Sequence, residues 1–202
     1  MGLLSRVFED RRLRLVDRLA MWHLYRHVLD WHEFREVRVT LLAPAMRVED
    51  QTVGRAMKEL VHRGYLEIEI RPRRLRAYRL PIGEPSETVN CPACVRNGKE
   101  ASFPPLDPVI PRAVEQALDN PHLTQVQRVA MWYLGRHFLG AGEFRPVKII
   151  ALSTFLGVRE QTAGRTMRSL VETGYLDVRD ADHLHARAYR LPWTRRAPRT
   201  AA

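Results

Sequence analysis

In the second half of the chain, apolar side chains recur at helical spacing through Val126, Val129, Ala130, Trp132 and His137, behind a Thr124/Gln127 pair spaced as a capping box. The first half carries the same stripe at Val16, Leu19, Ala20, Trp22 and His27. Each stripe predicts a helix that buries its tryptophan as core rather than offering it for stacking. After a short polar break, Phe34-Arg-Glu-Val-Arg-Val and Phe144-Arg-Pro-Val-Lys-Ile each predict a small strand running into a second helix. Over 151–176 the pattern reads helix, tight turn at Gly157, helix, and stop at Gly174. Leu152, Phe155 and Leu156 form one apolar face of that pair; Val158, Ala163, Met167, Leu170 and Val171 form the other. Tyr175-Leu-Asp-Val then alternates as a strand, with Ala188-Tyr-Arg-Leu as its antiparallel partner across a loop of about seven to nine residues.

The two halves repeat one another. Arg18-Leu-Ala-Met-Trp22 returns as Arg128-Val-Ala-Met-Trp132, and Glu33-Phe34-Arg35 as Glu143-Phe144-Arg145. Gln51-Thr-Val-Gly-Arg55 returns as Gln161-Thr-Ala-Gly-Arg165, and Gly64-Tyr-Leu66 as Gly174-Tyr-Leu176, all at an offset of 110. Roughly half of residues 18–66 are identical to their partners, which chance does not deliver. Arg76-Ala-Tyr-Arg-Leu-Pro81 matches Arg187-Ala-Tyr-Arg-Leu-Pro192 at an offset of 111, so one residue has entered the hairpin loop, where a change of length costs least. Weaker echoes join residues 1–17 to 111–127. The copies act as an internal control: a residue present in both is a candidate for a shared job.

The string Leu-Gly-Val-x-x-x-Thr-x-x-Arg-x-Met-x-x-Leu-x-x-x-Gly-Tyr-Leu at 156–176 resembles bacterial winged helix regulators of the MarR and GntR kind. Copy one, Met46 to Leu66, resembles them less, with Arg47 where the turn glycine would sit. The resemblance covers about 50 residues of each copy and implies the fold and, as its usual use, duplex DNA binding. The expected fold class is mainly α with small β wings (α+β), as two tandem winged helix-turn-helix domains. They occupy 1–81 and 111–193, with a Pro-rich linker at 82–110 and a basic tail at 194–202.

Charge sharpens this reading. The chain holds 33 Lys+Arg against 23 Asp+Glu, a formal +10. Residues 1–85 carry 17 basic and 12 acidic side chains, residues 86–119 carry 3 and 5, and residues 120–202 carry 13 and 6. The excess sits in the two repeats and skips the spacer, as suits two polyanion-binding modules. An Arg-rich surface reflecting genome composition is the bland alternative, since only three of the cations are lysines. No apolar run is long enough to span a bilayer, and the start lacks a secretory core, so a cytoplasmic, nucleoid-associated protein is expected.

In a helix-turn-helix the second helix enters the major groove by its N-terminal turns. The expected recognition helices are about 48–63 and 158–173. Their surface candidates are Gln51, Thr52, Arg55 and Lys58 in copy one, and Arg159, Gln161, Thr162, Arg165 and Arg168 in copy two. Gln51/Gln161 suit an adenine edge and Arg55/Arg165 suit guanine, each good bidentate pair discriminating by roughly 1–3 kcal/mol. A solvated face or an intrahelical pair is the plain alternative for the arginines. Gly54 and Gly164 depart from the family's pattern; a mid-helix glycine costs about 0.5–1 kcal/mol against alanine. Either the DNA backbone comes close there, or helix two does. Wing one offers Arg71, Arg73, Arg74 and Arg76 for phosphates, while wing two, with Arg179, Arg187 and two aspartates, is nearly neutral. The helix flanks also differ, Glu49-Asp50 against Arg159-Glu160, so copy one is expected to be the choosier reader. The expected partner is double-stranded DNA, read at two related half-sites by a monomer acting as a pseudo-dimer, with homodimerisation through the linker left open.

Cys91-Pro-Ala-Cys94 is half of a zinc knuckle, and no second Cys pair exists in the chain. A zinc shared between two chains or completed by His122, a redox pair, and inert thiols are the three readings; no cofactor is required. His23/His27 have i,i+4 metal spacing, but the counterpart of His23 is Tyr133; His183 and His185 occur only in wing two. No nucleophile–base–acid set repeats and no phosphate-cradling glycine loop is present, so an enzyme is not expected. The leading expectation is a regulator of transcription. Its rivals are a plasmid or phage replication initiator and, in a different class, a protein-interaction scaffold of the chromosome-segregation type.

Overall fold

In each half, the apolar spacing builds four packed helices, a turn-linked helix pair among them, and a hairpin that closes one side. The computed structural model describes residues 2–29, 33–72, 75–81, 111–137, 143–180 and 187–192. The chain divides into two units, Met1–Val109 and Ile110–Ala202. The first runs α1 (Leu3–Glu9), α2 (Leu15–His23, continued by a π-helical turn over Leu24–Val28), β1 (Arg35–Glu36), α3 (Val39–Met46), α4 (Asp50–His62), β2 (Glu67–Ile70) and β3 (Arg76–Arg79). The second runs α5 (Arg112–Asp119), α6 (Gln125–His137), β4 (Arg145–Pro146), α7 (Ile149–Leu156), α8 (Glu160–Glu172), β5 (Asp177–Asp180) and β6 (Arg187–Arg190). The fold is therefore mainly helical with two small antiparallel three-stranded sheets, an α+β arrangement, ordered β1-β3-β2 and β4-β6-β5. Among the described residues no helix is long and apolar enough to cross a membrane. The expected linker at 82–110 and tail at 194–202 lie outside the described residues.

The strand registers match between units. Ile68 faces Tyr78 and Ile70 faces Arg76 in the first; Val178 faces Tyr189 and Asp180 faces Arg187 in the second. The short first strand pairs on the other edge, Arg35 with Tyr78 and Arg145 with Tyr189. Trp22 and Trp132 are 1% and 2% exposed, core residues as their spacing predicts. The ends of both stripes differ from expectation: His27 and His137 are exposed and Val126 is half-buried. The two histidines occupy final turns beyond the packed stretch, where an imidazole stays hydrated at no cost. The capping box forms as read, with the Thr124 amide donating to Gln127 Oε1 at 2.7 Å and the Gln127 amide to Thr124 Oγ1 at 3.3 Å. Gln127 also donates to Ser169 Oγ at 2.8 Å, tying α6 to α8.

One helix in each unit escaped the sequence reading. The first buries Leu3, Leu4, Val7 and Phe8, and α5 buries Val114, Ala117 and Leu118. That i, i+1, i+4, i+5 spacing is an amphipathic signal, too short to stand out. Its last turn is anchored by the arginine that opens the repeated Arg-x-Ala-Met-Trp string. Arg18 Nη2 donates to the Asp10 carbonyl at 3.1 Å, and Arg128 donates through Nε at 2.7 Å and through Nη2 to the Leu118 carbonyl. A cation there meets the negative end of the helix dipole. Burial pulls both guanidiniums below the ordinary arginine range, Arg128 to about 10, which still leaves it charged at neutral pH.

The turn between the paired helices shows the two copies solving one geometry differently. Gly157 takes φ +67°, and Arg47 takes φ +53° at the matching place. Left-handed backbone strains a side chain with a Cβ by about 1–2 kcal/mol but leaves glycine at ease. Arg47→Gly should therefore raise the unfolding free energy of its unit by up to about 1 kcal/mol, and Gly157→Ala should lower that of the other by about 1 kcal/mol, read by urea denaturation. A loss of stability in Arg47→Gly would show that the arginine's contacts outweigh its backbone strain.

Candidate functional site

The second helix of each pair is shorter at its start than read from sequence. Glu49 and Arg159 sit in extended backbone as N-caps, and the helices begin at Asp50 and Glu160. An acid at the first position favours the positive end of the helix dipole, which gives Asp50 and Glu160 a folding role. The helices bury Val53, Ala56, Met57 and Leu60, and Ala163, Thr166, Met167 and Leu170. The polar faces that remain carry the candidates. Gln51, Arg55, Lys58, Arg159, Gln161, Thr162, Arg165 and Arg168 are exposed, and Thr52 is half-buried.

In the second unit α8 and the β5–β6 hairpin enclose a cleft of about 590 Å³, lined by Val147, Ile149, Gln161, Gly164, Arg165, Arg168, Arg187 and Tyr189. Three guanidiniums and an amide thus converge across a gap with an apolar floor, and among the described residues no carboxylate lines it. Asp180 stands 3.9 Å from Arg187 and is itself 95% exposed. Among the described residues, Arg165 and Arg168 make no hydrogen bond or ion pair. The structure brings four of the sequence-derived residues together here; Thr162, on the same helix, and Arg159, its N-cap, lie outside the cleft lining. The offsets of 110 and 111 carry the lining onto Val37, Val39, Gln51, Gly54, Arg55, Lys58, Arg76 and Tyr78 of the first unit. There Arg55 Nη2 donates to Gln51 Oε1 at 3.2 Å, one turn back on the same exposed face.

Several cations serve the fold instead. Arg71 is not a free wing cation: Nε meets Glu69 Oε2 at 3.1 Å, Nη2 donates to the Phe34 carbonyl at 3.0 Å, and Nη1 lies 4.0 Å from Glu36. It ties the loop end of β2 to the β1 segment. Arg73 and Arg74 lie outside the described residues, as do Cys91, Cys94, His183 and His185, while Arg76 is exposed as expected. The second arginine of the repeated Arg-Ala-Tyr-Arg string is structural in both units. Arg79 stacks 4.5 Å from the Phe34 ring centre and pairs with Glu67 at 2.6 Å; Arg190 stacks 4.4 Å from Phe144 and pairs with Asp177 at 3.0 Å. Arg179, from wing two, covers the same Phe144 ring at 4.7 Å.

A second repeated contact was not foreseen. Tyr65 donates to Asp10 Oδ2 at 3.2 Å, and Asn120 Nδ2 donates to the Tyr175 hydroxyl at 2.8 Å. Burial first, then the Asp10 charge and hydrogen bond, raise the Tyr65 phenol above its ordinary range. The same two side chains close local turns, accepting from the Arg12 amide at 2.9 Å and the His122 amide at 2.8 Å. The tyrosine of Gly-Tyr-Leu thus locks the end of the exposed helix to the first helix of its unit.

No protein-family model matches the chain, and no curated protein matches it. Among solved structures, the DIP2311 protein from Corynebacterium diphtheriae is similar at 15% sequence identity and a TM-score of 0.25, over 87% of this chain and 26% of that one. The chain spans about a quarter of that protein's length, and a likeness at this TM-score carries no argument.

The two classes of arginine separate experimentally by stability alone. Arg190→Ala removes a ring contact and an ion pair and should cost about 1–2 kcal/mol. Arg168→Ala should stay within about 0.5 kcal/mol of the parent, as surface changes away from special contacts do. Urea titration checks both. Equal losses would mean that the cleft arginines hold the fold.

Proposed function

We propose that the chain binds double-stranded DNA through two winged helix-turn-helix units, as a regulator of transcription. The observation that carries this reading is the cleft of the second unit, where Gln161, Arg165, Arg168 and Arg187 converge between an exposed helix and a hairpin, with no carboxylate in the lining among the described residues. A helix lying in the major groove and a hairpin reaching the adjacent minor groove straddle one phosphate strand, and three guanidiniums between them suit that strand. The exposed N-terminal turns of α8 present Gln161 toward base edges, an amide that pairs with adenine in bidentate fashion. The first unit offers the equivalent set, Gln51, Arg55, Lys58 and Arg76, on helix and hairpin. With both units in one polypeptide, a monomer spans two half-sites that are related and not identical. Binding through this surface needs no cofactor and no covalent chemistry, in keeping with a binding protein.

Selection from a random-sequence duplex pool at two salt concentrations tests the proposal. A two-part motif is expected, with log affinity falling linearly in log salt. Arg165→Ala should relax specificity at one half-site and weaken binding by roughly 1–3 kcal/mol, and Arg55→Ala should do so at the other. Arg187→Ala should reduce the salt slope by about 1 without shifting the motif. Absence of duplex binding at low salt, with a tight protein partner in its place, would overturn the reading in favour of a scaffold. Iterated origin repeats among genomic sites would move the role from transcription to replication initiation.

A further inference from the structure

Glycine stands in the middle of the exposed helix at the same place in both units, Gly54 and Gly164. Helix interiors disfavour it, so its presence twice calls for a reason. The fold supplies one for a different glycine. At Gly135 a methyl group would strike the side chain of Val114, so α5 and α6 pack close there, and its counterpart in the first unit is Tyr25. At Gly54 and Gly164, among the described residues, nothing lies within 4 Å of where a methyl would stand. Packing against the preceding helix is thereby excluded as the reason at both positions. Left-handed backbone is not the reason either, since the positive-φ glycines are Gly64, Gly157 and Gly174.

What remains is an object outside the protein. Gly164 lines the cleft beside Arg165, Arg168 and Arg187, one helical turn beyond Gln161. Arginines reach out several ångströms to their partners, whereas a bare Cα lets a backbone touch. We infer that Gly54 and Gly164 are contact notches, at which a sugar–phosphate strand of the bound duplex lies against the helix backbone closer than any side chain would allow. This inference rests on the proposed DNA binding and deepens it. The notch sets how far each helix sinks into the major groove, and so whether the glutamine one turn earlier reaches a base edge. Gly54 and Gly164 are positioning residues in this account: they carry no hydrogen bond to a base, and they fix the depth at which the glutamines and arginines work.

Alanine at these positions fits the free protein and crowds the complex. In the full-length chain, Gly164→Ala and Gly54→Ala should each raise Tm by about 2–6 °C, because the helix gains and nothing is struck. Each should weaken binding to the duplex recovered by selection by at least about tenfold, with the loss at its own half-site. Thermal unfolding and fluorescence anisotropy on the labelled duplex read the two effects. Higher Tm with unchanged affinity in a parent that binds DNA would overturn the notch and leave the DNA reading standing. A lower Tm would reveal an internal packing role and overturn it as well. A parent that binds no duplex would remove the DNA reading and the notch together.

Discussion

Everything exposed on these units depends on a charge that is not. Arg18 and Arg128 are buried, and each turns its guanidinium to the carbonyls that end the first helix of its unit. A buried cation is expensive unless it finds hydrogen-bond acceptors and negative potential, and a helix C-terminus supplies both. The arrangement fixes the first helix against the second. The Asp10 side chain then accepts from the Tyr65 hydroxyl, and Asn120, two residues past Leu118, donates to that of Tyr175, each tyrosine lying just beyond the exposed helix. One corner of each unit therefore clamps two neighbouring helices to a third segment 55 residues away. The proposed recognition helix is held by its C-terminal end, which leaves its N-terminal turns clear to face a partner.

That clamp qualifies what a repeated residue means. Shared identity between copies points to a shared job, and the job is often the fold. Arg18/Arg128, Tyr65/Tyr175 and Arg79/Arg190 recur because each closes a contact between elements, through a helix end, a turn or an aromatic ring. Gln51/Gln161, Arg55/Arg165 and Gly54/Gly164 recur on a surface where the fold asks little of them. Burial tells the groups apart, and the sequence carries burial only as a periodicity. For an arginine inside an apolar stripe, such as Arg128 between Gln127 and Val129, that periodicity is misleading: a charge reads as surface until its acceptor is known.

The helices of the turn-linked pair, the hairpin strands and the core tryptophans were legible because each is a long or strongly patterned signal. The capping box at Thr124 and the glycine turn at Gly157 were legible for a different reason, since both are local chemistry. The first helix of each unit was not, because seven or eight residues give a short apolar stripe, and the arginine that meets its end reads as surface charge in the sequence. The candidate surface was legible as a set of residues and not as a shape. Spacing put Gln161, Arg165 and Arg168 on one helix face, but bringing Arg187 against them requires knowing that the hairpin folds back over that face. The tethering of Arg71 was illegible for the same reason, as its acceptor Phe34 lies 37 residues away.

The units are alike in plan and unequal in detail, and the inequality has a direction. The first holds its helix turn with a strained Arg47, opens its exposed helix on an acidic pair, and keeps the loop end of its hairpin tied by Arg71 to Glu69. The second has glycine at the turn, Arg159 as the N-cap, and a hairpin whose Arg187 stands beside a solvated Asp180. Cations at the mouth of α8 favour capture of a polyanion from any sequence, while acids at the mouth of α4 repel one until close contacts compensate. The repeat thus retains Gln-Thr-x-Gly-Arg on one surface and alters its charged flanks. Under the proposed DNA binding that difference has a use: the permissive unit would hold a duplex nearby while the demanding one tests its sequence, a division that two identical subunits could not make.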